Sequence, residues 1–524
     1  MPKLTRREFL ISLGTLPFVK LAIPQLVIPA TRPLAQQSGG EATSSHPNIL
    51  MMVFDTFSAN HLATEGYRRD TAPNLARLAE KATVFHNHHA AGSFTSPGTA
   101  SLLTGLYPWT HRSIQTYGHA LPRVAENNIF NLLPDTYYKV AYTHNPLASA
   151  LLHQFRRQID ELKPRRELTV MDGLYSDVRF PNDYPVAINA ERLIGGLNLP
   201  PSATYLDLFR SLRANLARNK YEHEYADLFP RGMPEDGADM LYGLYTIEDA
   251  IDWVAELSTT YPTPFFSYVH LWPPHAPYAT RREFIDIFQD GWQPAEKPRN
   301  PLDTENVPQV KLNESRRLYD EYVSYVDAEF ARLYDLLEKN GALENTYLIL
   351  TSDHGELFER GIGGHTTSVL YDSILHVPMM VWKPGQTERV DVYEQTSAVD
   401  ILPTLLHLTG QAIPDLTEGV ILPTFGGDAV SSDREVYGVE AKRNNAFAPL
   451  SVATLAVHRG PHKLVQYFGY KGQSAGESYY ELFNLENDPD ELDNLYKTET
   501  SLARDLQELL RLRLDEVNRN FRPA

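Results

Sequence analysis

Residues 48–55 read Asn-Ile-Leu-Met-Met-Val-Phe-Asp, a short apolar run that stops at a carboxylate. An apolar run without polar alternation is typical of a strand buried on both faces of a parallel sheet. Further runs of this kind follow at 138–142, 265–270, 346–350 and 377–382. Stretches with helical spacing lie between them, at 73–84 and most clearly at 318–339. This alternation predicts an α/β fold with a large mixed, mostly parallel sheet flanked by helices.

The pattern changes near residue 430. Short strand-like runs and a closing amphipathic stretch predict a smaller C-terminal α+β subdomain; they lie at 435–439, 451–458, 463–468 and 502–517. We expect a leader at 1–35, a polar linker at 36–46, a main domain at 47–430 and this subdomain at 431–524. Residues 150–245 have weak periodicity, and we interpret them as an insertion that shapes a substrate mouth.

Composition excludes several classes of function. The chain has 524 residues, of which 42% are hydrophobic, enough for more than one core. Its 66 acidic residues outnumber 48 basic ones, giving a net charge of −18 that repels phosphate backbones. We therefore expect no nucleic-acid partner. Cysteine is absent, which excludes disulfides, thiolate metal sites and cysteine nucleophiles. The oligomeric state cannot be read from the sequence.

The N-terminal segment suggests that the protein is located outside the cytoplasm. Thr5-Arg6-Arg7-Glu8-Phe9-Leu10 precedes an apolar run that reaches Ala30. This arrangement resembles a twin-arginine export signal, which implies contact with the export machinery and a periplasmic or other extracytoplasmic location. Lys20 and several prolines interrupt the run and argue against a stable spanning helix. An uncleaved leader that tethers the protein to the membrane is the alternative.

Three segments place chemically useful side chains where predicted strands end. Asp55 ends the first, Thr95 opens the second at 94–105, and Asp353 and His354 lie in the third. Open parallel sheets gather ligands at this edge, and two carboxylates, an imidazole and a hydroxyl make a divalent-metal site. The metal would activate the Thr95 hydroxyl as a nucleophile. A helix expected just after Thr95 would favour an anionic ester.

A longer series of motifs lies in a fixed order along the chain. They are Asn48–Asp55, Thr71–Leu75, Ser101–Pro108, His270–Tyr278, Thr351–Glu356, Gly364–His365, Leu370–Asp372, Val399–Leu405 and Tyr480–Pro489. In this order they resemble the sulfatases of the alkaline phosphatase superfamily. The resemblance covers nearly the whole chain after the leader. It implies the sulfatase fold and an enzyme that hydrolyses ester bonds.

The nucleophile motif departs from that family. Sulfatases have Cys or Ser, any residue, Pro, any residue and Arg, and the first residue is oxidised to formylglycine. Here Thr95, Pro97 and Thr99 stand at the three defined positions. Threonine's extra methyl blocks the usual route to that aldehyde, and Thr99 removes a cation. Phosphodiesterases and phosphoryl transferases of the superfamily use Thr or Ser directly, so the resemblance implies attack by Thr95 and a covalent phosphothreonine.

The metal ligands also depart from the family pattern. Sulfatases commonly offer Asp-Asp and Asp-Asn, an all-oxygen set suited to calcium. The matching pairs here are Asp55-Thr56 and Asp353-His354. An imidazole shifts the preference towards zinc or manganese, with calcium or magnesium as alternatives. We expect Asp55, Thr95, Asp353 and His354 to surround one divalent metal ion.

Histidines supply the remaining candidates. His275 and His365 are candidate catalytic residues, which contact the ester oxygens or protonate the leaving group. His270 is a candidate for the same pocket. A further group, His86, His88 and His89, has the spacing of a strand or loop rather than of one ligand face, so we leave it out of the site.

These observations predict an exported, metal-dependent hydrolase that cleaves a phosphate or related ester by in-line attack of Thr95. Its substrate would be a small-molecule, lipid-headgroup or glycan ester. Three alternatives stay open: a sulfuric ester hydrolase without formylglycine, a phosphoryl-group transferase of the cell envelope, and a catalytically silent binding protein of the same fold.

Overall fold

A computed structural model describes residues 46–171, 216, 218–236, 243–302, 305–431, 433–471 and 477–521. The predicted leader and all but the last residue of the predicted linker lie outside the described residues, as does 172–215 of the predicted insertion. The domain boundaries at 35, 46 and 430 stay predictions. Among the described residues, none of the helices combines the length and apolar character needed to cross a bilayer.

Helices and strands alternate along the main part of the chain. The helices are α1 (Pro73–Leu78), α2 (Thr95–Thr104), α3 (Pro108–His111), α4 (Ile129–Leu132), α5 (Pro146–Gln154), α6 (Ile247–Thr260), α7 (Gln309–Lys339), α8 (Asp372–Leu375), α9 (Ile401–Leu408) and α10 (Thr500–Arg519). The first strands are β1 (Asn48–Phe54), β2 (Thr83–Phe85), β3 (His88–His89), β4 (Tyr138–Thr143), β5 (Glu161–Leu162), β6 (Phe265–Leu271), β7 (Thr346–Thr351) and β8 (Leu357–Glu359). The later strands are β9 (Ile362–Gly364), β10 (Met379–Trp382), β11 (Val390–Val392), β12 (Thr396–Ser397), β13 (Glu435–Glu440), β14 (Ala453–Arg459), β15 (His462–Phe468) and β16 (Ser478–Asn484).

Within the described residues, eight strands form one sheet in the order β11-β2-β10-β7-β1-β6-β4-β5. The central strands β7, β1, β6 and β4 run parallel, whereas β10 is antiparallel to β7. The prediction of a large mixed, mostly parallel sheet is therefore confirmed. Parallel strands place their carboxyl ends at one edge, which is where the candidate site lies.

The central strand β1 is buried on both faces because a helical layer covers each side. Leu50 and Met52 belong to a core shared with α6 and α7, while Ile49 and Met51 belong to a second core shared with α2 and α9. Successive side chains of a strand point to opposite faces, so an unbroken apolar run suits this position. Burying one such side chain stabilises the fold by about 1.5–3 kcal/mol.

The C-terminal part forms a separate four-stranded antiparallel sheet, β13-β14-β15-β16, within the described residues. Helix α10 packs on it through Ala503, Leu506 and Leu510. The predicted α+β subdomain is thereby confirmed, although β16 was not among the predicted strands.

Three local predictions are wrong. The helix expected over 73–84 ends at Leu78, because the β-branched pair Thr83-Val84 joins the sheet between β10 and β11. The helix expected at 318–339 begins at Gln309. The insertion does not begin at 150, since α5 extends to Gln154 and β5 pairs with β4 in the main sheet.

Candidate active site

The parallel strands bring the predicted metal ligands together. Asp55 follows β1, Asp353 and His354 follow β7, and His270 is the penultimate residue of β6. Val53 pairs with Thr351 on one side and with His270 on the other, so the three strand ends are level. All four side chains are fully buried.

The candidate ligand atoms of these four side chains lie close to one another. His354 Nε2 lies 3.3 Å from Asp55 Oδ1 and 3.5 Å from Asp353 Oδ2. His270 Nε2 lies 3.7 Å from one oxygen of each aspartate. Ligand atoms of Asp55, His270 and Asp353 all lie within 4.8 Å of one another. His270, which the sequence suggested only for the same pocket, therefore stands at the position of a ligand.

Both imidazoles are held with Nε2 towards the aspartates. His354 Nδ1 donates to the Gly355 carbonyl oxygen at 3.0 Å. His270 Nδ1 hydrogen-bonds the Tyr268 hydroxyl at 3.0 Å. Partners of this kind on the second ring nitrogen are typical of metal-binding histidines, since they fix the ring orientation.

The buried polar atoms fit a divalent metal ion. Among the described residues, Asp55 Oδ1, Asp353 Oδ2, His270 Nε2 and His354 Nε2 are buried without a hydrogen-bond partner. Buried polar groups in proteins are normally paired, and unpaired ones of this kind indicate a ligand site. Carboxylate oxygens and imidazole nitrogens together suit zinc and other first-row divalent metals.

The electrostatics of the cluster favour a cation. Burial opposes ionisation of Asp55, but the imidazoles of His275, His270 and His354 hold its pKa well below the usual range. Burial and the charge of Asp55 raise the pKa of Asp353. The charge of Asp353 and Asp55 raises the pKa of His354 to about 9 against the effect of burial. Two carboxylates so close together are stabilised by positive charge between them.

Thr95 is tied to this cluster through a residue that the sequence reasoning missed. Asn145 Nδ2 donates to Thr95 Oγ1 at 3.1 Å and also to Asp55 Oδ2. Asn145 is itself fixed, because its Oδ1 caps α5 by accepting from Leu147 N at 2.7 Å. The available signal was an Asn-Pro pair shortly after the strand predicted at 138–142, since Asn at an N-cap and Pro at the next position mark a helix start.

A glycine allows the nucleophile helix to approach the metal cluster. Thr95 is the first residue of α2 rather than a residue ahead of a helix starting near 99. A Cβ atom at Gly98 would collide with the backbone carbonyl of Asp353. The first turn of α2 therefore packs directly on the residue that follows β7, which brings the helix that begins with Thr95 up to the metal cluster.

His275 and His365 lie together at the edge of the cluster. Their ring centroids are 4.7 Å apart, and that of His365 is 4.5 Å from the His354 ring. Burial lowers the pKa of His275 to about 4 and that of His365 to about 3, so both rings are neutral near pH 7. His275 Nδ1 donates to the Ala276 carbonyl at 2.6 Å, which leaves an unprotonated Nε2 in the neutral ring.

Glu356 is a further member of the site without a role in the sequence reasoning. It is buried, and His365 Nδ1 lies 3.2 Å from both of its oxygens. Burial raises the pKa of Glu356 to about 7. Its place in the motif Thr351–Glu356 was the only signal in the sequence.

The histidines that the sequence reasoning left out have partners other than the residues of this cluster. His89 forms part of another group whose ligand atoms lie within 4.8 Å, together with Asp372 and His458. Lys463 Nζ already lies 2.6 Å from Asp372 Oδ1, so this group has its own positive partner. His86 contacts Asp391 at 2.7 Å.

Comparison with known proteins gives matches over most of the chain. The family model described as Sulfatase matches residues 47–163 and 205–411, and one described as N-sulphoglucosamine sulphohydrolase, C-terminal, matches residues 363–520. A choline-sulfatase of Rhizobium meliloti is 26% identical, over 86% of this chain and 83% of the relative. An arylsulfatase of Clostridium perfringens is 22% identical, over 86% and 91%.

The fold also matches solved structures. The crystal structure of a phosphonate monoester hydrolase of Agrobacterium radiobacter superposes with a TM-score of 0.63 at 20% sequence identity. The superposition covers 90% of this chain and 96% of that chain. At this identity the likeness establishes a shared fold.

Proposed function

The chain belongs to the sulfatase family and is an ester-bond hydrolase, and from that premise we propose that it cleaves a phosphate or related ester by direct attack of Thr95. The observation that carries the proposal is the buried convergence of Asp55, Asp353 and His354 with a threonine hydroxyl held by Asn145. With Asp55, Asp353 and His354 assigned to the metal, the Thr95 hydroxyl is the group of this set that is left to act as the nucleophile.

The donor set supports zinc or manganese as the cofactor, with calcium or magnesium as alternatives. Asp55, Asp353 and His354 would hold the ion, and His270 is a candidate fourth protein ligand. A divalent ion bound there would lower the pKa of the Thr95 hydroxyl and offset the negative charge of the ester.

The protein's own residues would act in two steps. In the first, Thr95 Oγ1 forms a bond to phosphorus as the bond from phosphorus to the leaving oxygen breaks, and the hydroxyl proton passes through solvent to the departing alcohol. Asn145 fixes the direction of attack. In the second, a water oxygen bonds to phosphorus as the bond to Thr95 Oγ1 breaks, and a proton from that water restores the Thr95 hydroxyl. The unprotonated Nε2 of His275 suits acceptance of the water's proton better than donation to the leaving group, because its pKa is lowered to about 4.

A sulfate ester is the second candidate substrate. Relatives named as choline-sulfatase and arylsulfatase support it. Thr95 and Thr99 argue against it, since they replace the residues on which the formylglycine route depends. In either case we propose a small-molecule, lipid-headgroup or glycan ester as the substrate class.

Parallel assays of an aryl phosphate diester, an aryl phosphate monoester and an aryl sulfate test the proposal. We expect turnover of at least one phosphate ester, a loss of about 10³-fold or more in Thr95→Ala, and partial activity in Thr95→Ser. Thr104→Ala is the matched control, because Thr104 lies on the same helix with its hydroxyl bonded to Ala100 O. Cleavage of sulfate esters alone would refute the phosphate proposal, and full activity of Thr95→Ala would refute the nucleophile.

We also propose that the protein is exported through the twin-arginine route, which rests on Arg6 and Arg7 before the apolar run. Replacing both with Lys should leave the protein in the cytoplasm of a host that has this pathway. Unchanged export of that variant, measured by fractionation, would refute the route.

A further inference from the structure

A cavity of 380 Å³ lies against the segment that precedes the proposed nucleophile. Ser93 and Phe94, which precede Thr95, line one side, and Thr366 to Ser368, which follow His365, line another. Lys442 and Arg443 close it from the loop after β13 in the C-terminal unit. The cavity is therefore shared between the main sheet's active-site loops and the C-terminal unit.

The Lys442 ammonium is directed to this cavity without a close counter-ion. It lies 5.3 Å from the centroid of the Phe94 ring. No carboxylate of a described residue lies within 4.0 Å of it. A cation over an aromatic face is held in place by a modest attraction but keeps its charge available to a ligand.

Two neighbouring charged residues of the loop, Glu440 and Arg443, contact Tyr470. Glu440 accepts from the Tyr470 hydroxyl at 2.6 Å and from the Lys442 backbone N–H at 2.9 Å. The Arg443 guanidinium lies over the Tyr470 ring, 5.2 Å from its centroid. Glu440 thus anchors the loop backbone. Glu305, Glu440, Lys442 and Arg443 all line the cavity, and Lys442 is the cation that lies beside Phe94, the residue before Thr95.

We propose that Lys442 is a specificity-determining residue that binds an anionic substituent on the leaving group of the substrate. The reacting ester must lie at Thr95 and the metal ligands, so a cavity that extends from Phe94 to the C-terminal unit receives the remainder of the molecule. A carboxylate or a second anionic ester group matches an ammonium there. This inference rests on the proposed ester hydrolysis at Thr95.

The test compares two phosphate esters, 4-nitrophenyl phosphate and 3-carboxy-4-nitrophenyl phosphate. Lys442→Ala should lower kcat/KM about tenfold or more for the carboxylated ester, mainly through KM, because a charged hydrogen bond is lost. The ester without the carboxylate should change by less than about twofold, and Lys442→Arg should restore most of the preference. Using the ratio of variant to wild type cancels the difference in leaving-group reactivity.

Lys383→Ala is the matched control. Lys383 Nζ also lies over an aromatic ring, 4.0 Å from the Phe425 centroid, and burial lowers the pKa of both lysines. Lys383 directly follows β10, and the last residue of β10, Trp382, pairs with Leu348 near the start of β7. Lys383 therefore lies at the amino end of β7, whereas the active site lies at its carboxyl end. Both esters should be turned over by this variant as by the wild type.

Two outcomes would overturn the inference: an equal loss of kcat/KM on both esters, or no loss on the carboxylated one. Either would leave the proposed hydrolase intact. Calorimetric binding of 3-carboxy-4-nitrophenol separates the two proposals further. Affinity that depends on Lys442, in a protein that turns over none of the phosphate and sulfate esters of the parallel assays, would support the cavity's role and contradict the proposed attack by Thr95.

Discussion

At the scale of single residues, Asn145 links the two halves of the candidate site. One amide group donates to both Thr95 Oγ1 and Asp55, while its oxygen caps α5. The orientation of the Thr95 hydroxyl is thus coupled to the start of α5, the helix that follows β4. A hydroxyl without this partner would keep its chemistry but lose its fixed direction.

Asn145→Ala should lower kcat about 10- to 100-fold while the metal content stays near that of the wild type, because the residue positions Thr95 without completing the ligand set. Stability should fall by about 1 kcal/mol from the lost cap. Asn128→Ala is the matched control, since Asn128 caps α4 through Asn131 N away from the site. Equal kinetic losses in the two variants would show a general effect of cap removal.

Variants of the metal ligands, unlike Asn145→Ala, should lose bound metal. His354→Ala and Asp353→Asn should each lower bound zinc or manganese, measured by elemental analysis of purified protein, since each removes a donor from the cluster. His270→Ala should do the same if His270 is a ligand. His61→Ala should retain metal, because His61 pairs with Asp320 at 2.7 Å elsewhere. Wild-type metal content in all three site variants would contradict the assignment.

The sequence predicted the metal ligands but not the residues that position the nucleophile or line the neighbouring cavity. Asp55, Asp353 and His354 could be predicted because each follows a recognisable apolar strand. Asn145 and Lys442 could not be assigned, because their roles depend on contacts with residues 50 or more positions away, such as the bond between Asn145 and Thr95. Neither the Asn145–Thr95 contact nor the Lys442–Phe94 contact produces a repeating pattern that can be recognised in the sequence.

At the scale of elements, α7 organises the layer behind the site. Asp327 on α7 accepts from the backbone N–H groups of Asn74 and Leu75 at 3.0 and 2.7 Å, so it caps α1 from another helix. Elements with a strong pattern were predicted from the sequence: α7 from its helical periodicity and β1 from its unbroken apolar run. The short α1 and β2 were not separated, because an apolar spacing of three or four residues runs across both.

Asp327→Ala should destabilise the protein by about 1–3 kcal/mol, because two N–H groups at the start of α1 lose their acceptor in a buried place. Urea unfolding measures the change. Asp335→Ala on the exposed face of the same helix should stay within about 0.5 kcal/mol of the wild type. Similar losses in both variants would point to helix propensity rather than to the cap.

At the scale of the whole molecule, a buried ion cluster joins the C-terminal unit to the main sheet. Lys463 Nζ on β15 lies 2.6 Å from Asp372 on α8 and 2.8 Å from Glu491. Lys463 and the neighbouring imidazoles hold the pKa of Asp372 well below its usual range, although burial opposes this. The same lysine is thus required by two carboxylates from different parts of the chain.

Lys463→Met should cost about 3–5 kcal/mol, because it leaves buried carboxylates without their cation. The pKa of Asp372 would then rise above its unfolded value, and that of Glu491, which burial already raises to about 7, would rise further. The folded state would bind more protons than the unfolded state, and stability would fall as the pH rises. We expect a larger deficit at about pH 8 than at about pH 5 in urea unfolding. Lys81→Met, which breaks an exposed pair with Glu338, should cost at most about 1 kcal/mol, and an equal cost would contradict the account.

The most direct measurement is intact-mass analysis of the metal-loaded protein quenched during turnover of a slow aryl phosphate ester, followed by peptide mapping. The proposal predicts one added phosphoryl-containing group on Thr95 in the wild type and none in Thr95→Ala, which should be inactive. Turnover without any adduct in the quenched wild type, together with activity retained in Thr95→Ala, would contradict it.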